Sequence, residues 1–90
     1  MESTILELHD AVESDDGSGI AKILSESRIP VKIITGLLVI AVENKLINAG
    51  RAILNYNTFS HEKISDLHLN AIICLAAKTD VLDQLKITYH

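Results

Sequence analysis

Two stretches of this chain correspond to one another, and that correspondence constrains the fold more than any single motif. The stretch Leu37 to Leu54 is repeated by Ile72 to Ile87, the shared positions standing at an offset of 35 residues. Ala41 falls on Ala76, Val42 on Ala77, Leu46 on Val81, Ile47 on Leu82 and Arg51 on Lys86. A recurrence of about 20–50 residues marks stacked supersecondary units, none of which can bury its apolar face alone. Each copy reads as two short apolar-striped helices around a tight polar turn, which is Glu43 to Lys45 in the first copy. An earlier unit fits with a shift, Ala11-Val12 falling on Ala41-Val42. Its outer helix needs one extra residue, absorbed in Gly17-Ser18-Gly19.

The apolar spacing along the chain is helical throughout. Ile5, Leu8, Ala11 and Val12 form one face, with Ser3 or Thr4 as the cap and Glu7 near the first turn. Ser14 to Gly19 breaks that pattern, because Gly relieves the penalty on positive φ and Asp bonds its own backbone. Ile20, Ile23 and Leu24 stripe a helix over about 18–26. Pro30 favours a first helical turn, so a helix starts there, with Ser27 as candidate cap, and runs to Asn44. The rival reading makes 31–35 a connector. Leu46 to Tyr56 follows, and Gly50 in its middle implies a close neighbouring backbone. Ser60 caps a helix over about 61–78, with Glu62 in its first turn and Ile64, Leu67, Ala71, Ile72 and Leu75 as its stripe. A last helix runs from Asp80, as cap or first-turn acid, to Tyr89. Strict two-residue alternation is nowhere sustained, which argues against a sheet.

These residues resemble the ankyrin repeat. Leu8-His9-Asp10-Ala11-Val12 is similar to that family's inner-helix core, and Leu38 to Asn44 and Ile73 to Thr79 match it more loosely. Ile47 to Leu54 and Leu82 to Ile87 resemble its outer helix. No unit carries the family's Thr-Pro. Lys45 and Asp80 stand where the turn usually has Gly, and the Asp-x-x-Gly hairpin between repeats is missing. The fold expected is all-α: stacked helix-turn-helix repeats in an ankyrin-like short solenoid. An irregular small helical bundle is the alternative. The chain is one domain, 1–90, with units of about 3–26, 30–57 and 61–90.

Composition narrows the function. The 48% apolar share is ample for a core, so disorder is a poor reading. Aromatics are only 3%, leaving Ile, Leu, Val and Ala to build it. A net charge of −4 with scattered Lys and Arg offers no basic patch to displace counterions from phosphates, so nucleic acid is not an expected partner. No apolar run nears the roughly 20 residues of a bilayer span, and Met1-Glu2-Ser3-Thr4 lacks the basic start of a signal peptide. A soluble cytoplasmic protein is expected.

Catalytic and metal chemistry find weak footing. Cys74 lies in Ile-Ile-Cys-Leu and reads as an inert core thiol, since a nucleophile needs an electropositive, partly exposed setting. His61 and His68 stand two helical turns apart on one face, with Glu62 or Asp66 nearby. But zinc sites need three or four convergent ligands, and a polar face explains them better. Gly17-Ser18-Gly19 with Lys22 lacks the spacing of a phosphate loop. Asp10, Glu13, Asp15 and Asp16 lack the glycine of a calcium loop. No cofactor or metal is expected, and the chain is not read as an enzyme. Resemblance to ankyrin proteins implies that His9 bonds the backbone of the neighbouring turn.

The expected function is a non-catalytic protein–protein interaction module: a scaffold, adaptor or inhibitor binding a protein partner. The resemblance implies that residues after the Ala-Ala position face that partner: Glu13 and Ser14, Glu43 and Asn44, Lys78 and Thr79. The segments between units add Arg28, Lys32, His61, Glu62 and Lys63. The alternative is a small regulatory protein acting by homodimerisation, through an uncovered side of Val81, Leu82 and Leu85 in the last helix pair.

Overall fold

The computed structural model describes residues 2–85. Six helices follow in order: α1 Glu2–Glu13, α2 Gly17–Glu26, α3 Val31–Glu43, α4 Ile47–Phe59, α5 Asp66–Lys78 and α6 Leu82–Leu85. No strand occurs among the described residues. The part of the last helix expected beyond Leu85 lies outside them.

The turns joining α1 to α2, α3 to α4 and α5 to α6 have the same construction. Asp15, Lys45 and Asp80 take φ of 55°, 57° and 62°. The following N–H closes a long bond back into the helix: Asp16 to Ala11 (2.9 Å), Leu46 to Ala41 (2.8 Å) and Val81 to Ala76 (2.9 Å). Asp15, Lys45 and Asp80 themselves donate to Val12, Val42 and Ala77. This is the Schellman arrangement, which satisfies carbonyls that the helix end leaves bare. The left-handed residue is usually Gly, because an L side chain is strained there. Here no glycine has positive φ.

That corrects the expectation for Ser14 to Gly19, where Asp15 and not a glycine makes the turn. It also removes the extra residue. Asp15 to Lys45 and Gly17 to Ile47 keep the offset of 30 already set by Ala11 and Ala41. Gly19 matters for room: a Cβ there would collide with the Asp16 carboxylate, whose Oδ1 accepts from Gly19 N at 3.1 Å and caps α2.

Other boundaries move for local reasons. α1 already begins at Glu2, so neither Ser3 nor Thr4 is its cap. Ser27 closes α2, its N–H donating to Ile23, and Pro30 precedes α3 without a side-chain cap. Val31 to Thr35 is helix, not connector. α4 runs on to Phe59. α5 starts at Asp66 and is capped by Ser65. Ser60 donates instead to Glu62 O at 2.8 Å and shapes the connector.

α1 packs on α3 and α3 on α5, making one layer; α2 packs on α4 and α4 on α6, making the second. Leu8, Val12, Ile20, Leu38, Val42, Ala49, Ile53 and Ala76 between them are at most 1% exposed. Burying each large aliphatic side chain contributes roughly 1.5–3 kcal/mol. A small residue sits where α4 and α6 approach within the second layer. A Cβ on Gly50 would come within 2.6 Å of Leu85 Cδ2, so the close neighbour is a side chain of α6 and not the backbone expected. Three further expectations fail at α5: Leu67 is 78% exposed, Ala71 of the same expected stripe is exposed, and Cys74 is exposed instead of core.

Candidate protein-binding face

The expected interaction residues divide into two sets, at opposite ends of the first layer. Glu13, Glu43 and Lys78 are the last residues of α1, α3 and α5, and all three are exposed. Ser14, Asn44 and Thr79 follow them in the turns. Two of those side chains serve their own helix ends. Asn44 Nδ2 donates to Ile40 O at 2.9 Å, and Thr79 Oγ1 donates to Leu75 O at 2.9 Å. His9 does not reach the neighbouring turn as the resemblance implied. Its Nδ1 lies 2.8 Å from Glu13 Oε1, one turn along the same helix.

The second set lies by the starts of α3 and α5, a helix length of about 20 Å away at ~1.5 Å per residue. Arg28 Nη2 stands 3.7 Å from Glu62 Oε1, and both side chains are exposed. Such a surface pair contributes roughly 0–1 kcal/mol. Lys32 is exposed in the first turn of α3, and His61 is exposed in the connector. Lys63 serves the fold itself. Its Nζ donates to the carbonyls of Asn57 (2.9 Å) and Thr58 (2.8 Å), closing the C-terminal end of α4. Asn57 Oδ1 in turn accepts from Ile64 N at 2.9 Å, seating Ile64 at 3% exposure.

Between the two sets runs a surface that the motif-by-motif reading missed. α3 shows solvent Lys32, Gly36 and Glu43, with Val39 half-buried on the same face, and α5 the stripe Leu67, Ala71, Cys74, Lys78. Successive steps of three and four keep each stripe on one helical face. Thr35 and Val39 of α3, with His68, Ala71, Ile72, Cys74, Leu75 and Lys78 of α5, line a groove between the two helices. Its floor is apolar and its ends are polar. A signal was present in Gly36, a mid-helix glycine around which a Cβ would meet nothing within 4 Å. Packing within the chain does not require it.

The remaining clusters have structural uses. Asp16 caps α2, so a carboxylate already holds the Gly19 N–H that a phosphate would need. Asp15 binds the start of α4. His61 lies in the connector and His68 in the first turn of α5, so they do not share a helix; His68 Nδ1 sits 2.8 Å from Ser65 Oγ. Among the described residues, no three His, Cys, Asp or Glu side chains converge, and no polar or charged residue is buried. No described helix is long and apolar enough to cross a membrane. The chain matches no protein-family model, no curated protein and no solved structure.

Proposed function

We propose that the chain is a non-catalytic protein-interaction module, built as an ankyrin-like stack of three helical hairpins and binding its partner along the open side of α1, α3 and α5. The observation that carries this reading is the α3–α5 groove, an apolar floor between two exposed polar ends. Stacked units present corresponding positions side by side and so make an extended surface; Glu13, Glu43 and Lys78 are such a series.

The outer sides of α1 and α5 are polar where α3 is apolar or half-buried. On α1, Ser3, Glu7 and Asp10 are exposed, whereas their counterparts in α3 are Ile33, Leu37 and Ile40, partly or fully buried. On α5, Asp66 and Asn70 are exposed at the positions of Val31 and Thr35. Homodimerisation through the last helix pair is weaker as an alternative, because Val81 and Leu85 are 2% and 4% exposed within the protomer. An exposed free thiol at Cys74 suits a reducing compartment such as the cytoplasm.

The test is affinity capture with the full chain, followed by affinity measurements on the captured protein. Glu43→Ala with Lys78→Ala should weaken binding and leave the far-UV circular dichroism unchanged. Asn55→Ala, exposed on α4 of the other layer, should bind as the parent does. Unchanged affinity in the Glu43/Lys78 variant would remove this face from the function.

A further inference from the structure

We infer that the cavity between the C-terminal ends of α2 and α4 binds a cationic side chain, Lys or Arg, presented by a partner protein. The partner as the source of that side chain rests on the interaction reading above, but the site is a different one: this cavity and the α3–α5 groove share no lining residue. Its volume of about 510 Å³ falls in the range of roughly 300–1,000 Å³ found for ligand sites. Two of the chain's three aromatic residues, Tyr56 and Phe59, line it. They stand three residues apart in the last turn of α4, so they are neighbours on the helix surface. Phe59 is 79% exposed, so the core makes little use of its ring. An aromatic face attracts a cation placed within about 6 Å of its centroid.

The polar groups of the cavity fix the sign of the guest. Glu26 and Glu62 supply two carboxylates. α2 ends at Glu26 with no basic residue in its last turn, and a helix C-terminus carries partial negative charge that favours a cation. The C-terminal end of α4 is already met by Lys63. The serines point the same way. Ser25 Oγ donates to Lys22 O and Ser60 Oγ to Glu62 O, both at 2.8 Å. A hydroxyl has one proton, so these two lining residues offer a guest only acceptor lone pairs. Ser27, Arg28 and His61 are the side-chain donors left on the lining. Arg28 does not close the site. Its side chain is 89% exposed and its Nη2 stands 3.7 Å from Glu62 Oε1, a loose surface pair that a guest cation can replace. Leu24 and Ile29, also on the lining, suit the alkyl stem of a lysine or arginine.

The experiment titrates the full chain, isotope-labelled, with N-acetyl-arginine amide, with the neutral N-acetyl-norleucine amide and with inorganic phosphate. The arginine probe should shift the amide resonances of Glu26, Ile29, Tyr56, Phe59 and Glu62; the other two should not. Phe59→Leu keeps apolar bulk without the ring, and Glu62→Gln removes one carboxylate. Each variant, folded by circular dichroism, should bind the arginine probe roughly two- to fivefold more weakly. Arg28→Ala should bind it more tightly, because the competing guanidinium is gone. Equal shifts from the norleucine probe would reduce the site to an apolar contact, and shifts from phosphate alone would make it an anion site; either overturns the inference. So would arginine shifts mapping to another surface, or unchanged binding in both Phe59→Leu and Glu62→Gln. A captured partner that binds and leaves these resonances unmoved would overturn the partner as the source of the cation. If that partner still depended on Glu43 and Lys78, the interaction function would stand without this site.

Discussion

The carboxylate of Asp15 caps a helix to which it does not belong. Its Oδ1 accepts from the backbone N–H of Ala49 at 2.8 Å, and its Oδ2 from Asn48 Nδ2 at 3.2 Å. Ala49 lies in the first turn of α4, and the residue preceding α4, Leu46, has no side chain able to cap it. The left-handed backbone at Asp15 (φ 55°) thus sits in the residue that joins the first hairpin to the second.

Replacing Asp15 should therefore cost more than an ordinary turn substitution. Asp15→Ala loses the cap, worth about 0.5–2 kcal/mol, and puts an Ala in the left-handed region. The expected loss is about 2 kcal/mol in urea unfolding. Asp15→Gly keeps the turn relaxed and loses only the cap, so it should lie between Ala and the parent. If Gly and Ala proved equal, the backbone part of this account would be wrong.

Lys45 occupies the same turn position with φ 57°, and its exposed side chain has no acceptor that would account for it. Lys45→Gly should raise stability by about 0.5–1 kcal/mol, the relief of left-handed strain less the greater freedom of Gly in the unfolded chain. A lower denaturation midpoint for this variant would show that the side chain has a partner.

The mid-helix glycines Gly36 and Gly50 should respond in opposite directions. Gly36→Ala adds a methyl group to open space and should stabilise by about 0.8–1 kcal/mol through helix propensity. Gly50→Ala drives a Cβ against Leu85 and should destabilise by about 1 kcal/mol, as over-packing does. Thermal melts of the two single variants make the comparison.

Two exposed cations should likewise differ. Lys63→Ala leaves the carbonyls of Asn57 and Thr58 without their donor, and a loss of about 1 kcal/mol is expected, with faster amide exchange in the last turn of α4. Arg28→Ala breaks only an exposed pair at 3.7 Å, and the change should stay within about 0.5 kcal/mol.

The offset of 35 between Ala41 and Ala76, and the stripes through Leu8, Leu38 and Ile72, were legible in the sequence because a helix face repeats at a fixed residue spacing. That spacing determined the all-helical class and the apolar faces of the first three helices; it made Asp80 the start of the last helix, whereas Asp80 is the left-handed turn residue and α6 begins at Leu82. Tertiary structure alone decided the rest. Asp15 is an ordinary turn acid until α4 is brought beside it, and Gly50 has no explanation until Leu85 covers it. Lys63 reads as a surface charge until the connector folds it back over α4. The groove also needed the fold, because it belongs to neither α3 nor α5: Val39 and Ala71 are far apart in the chain and face the same solvent only when the two helices pack. Local periodicity records which side of a helix is apolar, and it carries no information about which neighbour meets that side or what stays uncovered between them.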